Sequence, residues 1–173
     1  MAVLSFEQDY NRYPGCAGGD GHDHAGHSVG DEKIYGCDPA SNSYKVVLKD
    51  QDQSEDYLHF FDLLTYSNHL DSADDPSDDV KKQNSRKKRY LEPDEDYFGS
   101  AKNGFRDAWG RPYIVIVDGN YDGKVTVPKA LLNASKDEVV FKPVCVISFG
   151  PQDAEVSEPS KADKSKFIYS WKN

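Results

Sequence analysis

The sequence predicts an α+β domain in which helices cover one face of a small antiparallel sheet. Three observations lead there. Residues 113–117 (YIVIV) form an unbroken β-branched and aromatic run, bounded by Gly110 and Pro112 before it and by Asp118 and Gly119 after it, which marks a buried strand. Residues 144–149 and 167–171 (FIYSW) supply two further strands, the first opening after Pro143 and the second closing the chain. Ahead of these strands, apolar residues recur at helical spacing in residues 2–13 and again in residues 54–70. Helices followed by a run of strands is the order of an α+β chain.

The helices come first. Val3, Phe6, Tyr10 and Tyr13 share one helical face, and Pro14-Gly15 ends it. So short a helix is marginal alone, so Phe6 and Tyr10 are expected to pack against the sheet, or the segment is the tail of a longer helix. Residues 15–36 are glycine-rich loop, and residues 44–49 (YKVVLK) read as a short edge strand. In the second helix Ser54 caps, Glu55 and Asp56 lie against the positive end of the dipole, and Tyr57, Phe61 and Leu64 form the apolar face. Residues 71–79 then carry five aspartates, and residues 81–89 (KKQNSRKKR) answer with six basic side chains. Such blocks suit a docking site, but charge runs are mostly solvated loops and these two can screen each other. Beyond them, Trp109 is expected to cover the open end of the sheet. Residues 124–127 are expected to return beside residues 113–117 as a hairpin across the polar loop 118–123.

A chain of 173 residues is read as one domain: 1–13 the first helix, 14–104 a helix and loops, 105–173 the sheet. With 37% hydrophobic residues and a mean hydropathy of −0.78, much of it must be loop. A net charge of −9 argues against a nucleic-acid partner, which requires a basic face. No apolar run approaches the roughly 20 residues of a membrane helix, and residues 1–5 do not open a signal peptide.

Candidate chemistry is concentrated in loops. His22, His24 and His27 are spaced to gather imidazoles around Zn²⁺, although an exposed loop explains the same residues. Cys16 and Cys37 sit in glycine-rich sequence and are paired as a disulfide, leaving Cys145 buried in a strand. Asp118, Asn120, Asp122 and Gly123 match the first half of an EF-hand loop, with Lys124 available through its carbonyl. Lys129 occupies the twelfth position, where a bidentate Glu belongs. Weak Ca²⁺ binding then needs a carboxylate from another loop, and a plain Asp-Gly turn accounts for the same letters. There is no Gly-x-Ser-x-Gly, His-Glu-x-x-His or phosphate loop, so no catalytic residue is assigned and no enzyme activity is expected.

Four segments, FEQDYNRYP (6–14), DAWGRPY (107–113), SFGP (148–151) and IYSW (168–171), resemble the major pseudopilins of type II secretion, in the same order. The resemblance covers the ends and middle of the chain. It implies a long amino-terminal helix, anchored in the membrane through its first half, that carries a small head with an antiparallel sheet. Residues 1–13 then correspond to the end of that stem, with Met1 standing where a leader and apolar stem would be. It further implies a filament subunit on the periplasmic face of the inner membrane, whose partners are other pseudopilins and inner-membrane secretion components. The family commonly binds Ca²⁺ in the loop after the strand that SFGP resembles. Here Asp153 and Asp163 are the corresponding candidate ligands, opposed by Lys164 and Lys166. The other class of function compatible with these residues is an extracytoplasmic Ca²⁺- or Zn²⁺-binding module that recognises a protein or glycan.

Overall fold

A computed structural model describes residues 1–14, 27–29, 32–38, 43–46, 54–68, 76–92 and 105–172. The fold is α+β, and the chain divides into two compact units, Met1–Gly26 with Gln51–Phe105, and His27–Asp50 with Arg106–Asn173. The segment His27–Asp50 falls in the same unit as the strands after residue 105.

The first unit holds α1 (Ala2–Tyr10), α2 (Glu55–Thr65) and α3 (Asp78–Gln83). Helix α1 stops short of residue 13 because Asn11 turns left-handed (φ 53°) and returns its N–H to the Glu7 carbonyl, a helix-ending geometry asparagine tolerates. Phe6 is fully buried, with the rings of Tyr10 (4.6 Å) and Tyr90 (5.4 Å) against it. In α2 the cap is the expected one: Ser54 Oγ accepts from the Tyr57 N–H at 3.3 Å, and Glu55 and Asp56 follow. Every residue from Tyr57 to Thr65 is buried, so α2 is an interior helix rather than a surface one with a single apolar stripe. It ends at Tyr66 (φ 50°), earlier than residue 70.

Helix α3 was hidden inside the charge runs. Ser77 Oγ accepts from the Val80 N–H, Asp78 and Asp79 occupy the first turn, and Lys81 and Lys82 the last, an order that matches the helix dipole. The rest of the basic run turns back onto α1. Arg86 and Lys88 both pair with Asp9, and Tyr90 donates its hydroxyl proton to the same carboxylate at 2.7 Å. Asn84 sits at the centre of this clasp. Its side chain accepts from Tyr10 Oη and donates to the carbonyls of Leu63 and Lys88.

The second unit holds a five-stranded antiparallel sheet of order β1 (His27–Val29), β2 (Glu32–Tyr35), β3 (Ile114–Val117), β6 (Val144–Ser148), β7 (Ile168–Tyr169). Strand β3 is central and all four of its residues are buried, which is why its sequence reads as an apolar run rather than an alternation. The expected hairpin with residues 124–127 does not form. Strand β4 (Val125–Val127) instead pairs with β5 (Glu138–Val140) as a separate two-stranded ribbon, and β3 takes β2 and β6 as neighbours. The physical reason lies in the core: Val125, Val127 and Val140 join one cluster with Ile34, Ile114, Ile116, Cys145 and Ile147, so the ribbon packs with the sheet's apolar side chains instead of extending it. Residues 44–46 contribute Tyr44 and Val46 to that cluster, tied through the Val46 N–H to the Ser157 carbonyl. Trp109, expected to cap the sheet, is 44% exposed.

Candidate functional site

The DAWGRPY segment is a turn built around one buried carboxylate. Asp107 Oδ1 accepts from the N–H groups of Trp109 (3.0 Å) and Arg111 (2.9 Å), while the Asp107 N–H donates to the Arg111 carbonyl and Gly110 turns left-handed at φ 79°. Asp107 Oδ2 accepts from Ser148 Oγ, at the end of β6. Arg111, only 4% exposed, sends its guanidinium to the carbonyls of Gln152, Asp153 and Val156. The loop after β6 is closed further by Gln152, which donates to the Phe149 and Asp163 carbonyls and accepts from the Asp163 N–H. Three segments separated in sequence therefore form one hydrogen-bonded body.

That network decides the fate of Asp153 and Asp163. Asp153 is exposed and enters the network through its main-chain carbonyl, whereas the Asp163 carboxylate accepts from the Ser165 N–H and hydroxyl. The Ser165 bonds hold the Asp163 carboxyl below its ordinary pKa. Of the two carboxylates that the sequence offered to a cation here, that of Asp163 is engaged by Ser165, and Lys164 and Lys166 sit on the same turn.

The loop after β3 is differently arranged. Asp118 is fully buried, with Oδ2 accepting from the Gly123 N–H at 2.7 Å and Oδ1 from the Asp122 N–H at 3.3 Å. Asn120 Oδ1 accepts from the Asp122 N–H, and Asp122 pairs with Lys124 Nζ at 2.9 Å, a contact that lowers the Asp122 pKa and raises that of Lys124. Gly123, at φ 83°, supplies the sharp turn that this motif needs. Asp118, Asn120, Asp122 and Lys124 are therefore neighbours on one short loop.

A further carboxylate, from outside the loop, is one that sequence reading missed. The β2–β3 register pairs Lys33 with Val117, which carries Glu32 to the level of Asp118. Glu32 is 8% exposed; its Oε1 accepts from the Thr126 N–H at 2.8 Å, while Oε2 is buried with no hydrogen-bond partner. Burial raises its pKa, and the charges of Asp118 and Asp122 push it further the same way. Only the strand pairing reveals this residue, because in sequence it is one charge in a polar stretch far from residue 118.

Among the described residues no three His, Cys, Asp or Glu side chains are already gathered at metal-ligating spacing. His22, His24 and Cys16 lie outside the described residues, and His27 is described only as part of strand β1. Cys37 is a buried free thiol, and Cys16, its expected disulfide partner, lies outside the described residues. Its pKa is raised by burial and by Asp38; burial, with Glu138 nearby, pushes the Cys145 thiol up to about 12. A thiol so protonated is a core hydrophobe rather than a nucleophile. Among the described residues no helix is long and apolar enough to cross a membrane. Comparison of the chain with protein families, with curated proteins and with solved structures finds no match.

Proposed function

We propose that this chain is the head of a pseudopilin-like structural subunit, which joins other copies and inner-membrane secretion components on the periplasmic face of the inner membrane. One observation carries the reading. The segments DAWGRPY, SFGP and IYSW, distant in sequence, lead into or lie on three successive strands of one sheet, β3, β6 and β7, with Asp107 and Ser148 hydrogen-bonded across the first two. A chance likeness of three short strings gives no reason for them to be neighbours. Helix α1, with Phe6 and Tyr10 fastened in its unit, supports the same reading as the end of a stem. In this role the network is a scaffold, so no substrate or catalytic group is required.

The test is made in the organism that encodes the chain, with antibody against the purified protein. The antigen is expected in the inner-membrane fraction, accessible to protease from the periplasmic side, and formaldehyde should link it into a ladder of multiples or to secretion components. Recovery from the cytosol without cross-linked species overturns the proposal. The reading as an extracytoplasmic cation-binding module that recognises a protein or glycan predicts a periplasmic or secreted monomer in the same fractionation.

A further inference from the structure

The structure assigns a Ca²⁺ site to the loop after β3, with Glu32 on β2 supplying the acidic ligand that the loop itself lacks. In an EF-hand loop the ligands at positions one, three, five and seven need a carboxylate at position twelve to complete an oxygen shell. Asp118, Asn120, Asp122 and the Lys124 carbonyl occupy the first four of these positions, and Lys129 cannot serve as the last. Here the missing group comes from a neighbouring strand.

Two independent features point to a ligand. The first is Oε2 of Glu32, a carboxylate oxygen without a hydrogen-bond partner on a side chain only 8% exposed. Burying such an atom unsatisfied is costly, more so when it is charged, so its retention calls for a compensating group. The second is electrostatic. Glu32 and Asp118 are both buried and Asp122 lies within their field, while the only cation of the loop, Lys124, already pairs with Asp122. Two buried carboxylates and an exposed third beside one ammonium leave an excess of negative charge, the condition that a bound divalent ion reverses.

Oxygen ligands, four of them on a loop held by a left-handed glycine, favour a hard cation that accepts irregular coordination, which is Ca²⁺ rather than Zn²⁺. Binding requires Asp122 to exchange its Lys124 partner for the ion and Asp118 to share oxygens that now accept from Asp122 and Gly123 N–H groups. The site is distinct from the loop of Asp153 and Asp163, and does not depend on the proposed pilus role. Its consequence is mechanical: an ion held by Glu32 and Asp118 cross-links β2 to the end of β3, beside the Thr126 N–H at the start of the β4–β5 ribbon.

The test uses the full chain and Ca²⁺ alone, with NaCl of equal ionic strength as the control. Titration calorimetry should give a Kd on the order of 10⁻⁴ to 10⁻³ M, and about 10 mM Ca²⁺ should raise Tm by roughly 3–7 °C. Glu32→Gln keeps the shape and the Thr126 hydrogen bond but removes the charge. It should raise Tm in the absence of Ca²⁺, which shows that the variant folds, and weaken Ca²⁺ at least tenfold. Asp118→Asn should weaken it similarly, and Asp163→Ala should leave both the affinity and the Tm shift unchanged. Undetectable heat at millimolar Ca²⁺, or a Tm shift that survives Glu32→Gln, overturns the assignment.

Discussion

Ser148 Oγ donates a buried hydrogen bond to Asp107 Oδ2, so the end of β6 is fastened to the turn that launches β3. The same carboxylate accepts two main-chain N–H groups through its other oxygen. Asp107→Ala leaves three donors without their acceptor, and at about 1–3 kcal/mol per buried unsatisfied group the loss should be about 3–5 kcal/mol in urea unfolding. Ser148→Ala removes the bond to Asp107 together with the one Ser148 Oγ accepts from the Gly150 N–H, and should cost about 2 kcal/mol. The two losses should fall short of adding in the double variant, because both include the shared bond.

Gly150 and Gly123 both have positive φ, yet they should respond very differently to alanine. A Cβ on Gly150 (φ 64°) would stand 2.1 Å from the Lys166 carbonyl oxygen, a main-chain atom that cannot step aside. Gly123 (φ 83°) has nothing within 4 Å of the same position. Gly123→Ala should therefore cost only the left-handed penalty, about 1–2 kcal/mol, whereas Gly150→Ala should exceed about 4 kcal/mol or yield insoluble protein. Equal losses in paired denaturation curves would show that the loop after β6 can move away from Lys166.

Asp9 gives the helical unit a signature in acid. Its hydrogen bond from Tyr90, then that from Lys88 and the nearby charges, hold its pKa below the ordinary 3.8. A carboxyl depressed in the folded state adds stability above its unfolded pKa and loses it as pH falls through the folded value. Asp9→Asn should therefore lower the urea midpoint near neutral pH, and the difference from the parent should close progressively below about pH 4. A gap that persists undiminished to about pH 2 would assign the effect to lost packing instead of charge.

Cys37 and Cys145 are buried, and their thiols are kept protonated. Iodoacetamide at neutral pH should leave both unmodified in the folded protein, while unfolding without reductant should expose both to mass-spectrometric detection. Protection of Cys37 after unfolding would restore the bridge to Cys16.

Much of this architecture is legible in the chain because local chemistry and tertiary role coincide. The run at 113–117, the Ser54 cap and the strands near 144 and 168 declare themselves in this way, each within a few residues of its observed bounds. What the sequence concealed are partnerships set at long range. Residues 124–127 look like a hairpin return, but their valines pair with β5 and join the core cluster from the β4–β5 ribbon. The charge runs around residues 71–89 look like solvated loops, yet they contain a capped helix and the clasp on Asp9. At the candidate site the loop was visible from its spacing, but Glu32 was not, since its place beside Asp118 exists only once β2 and β3 are in register.

The interleaving of the two units bears on how the chain is born. Strand β2 is synthesised long before β3, and everything the helical unit needs is complete at Phe105, ahead of the strand that β2 awaits. At ribosomal speeds of about 5–20 residues per second, one edge of β2 stays open on the order of ten seconds in the nascent chain. An exposed apolar edge such as Ile34 and Tyr35 invites pairing with other chains, and charged residues at the strand's start discourage it. Glu32 and Lys33 hold those positions, so the strand that waits longest for its partner opens on two charged side chains.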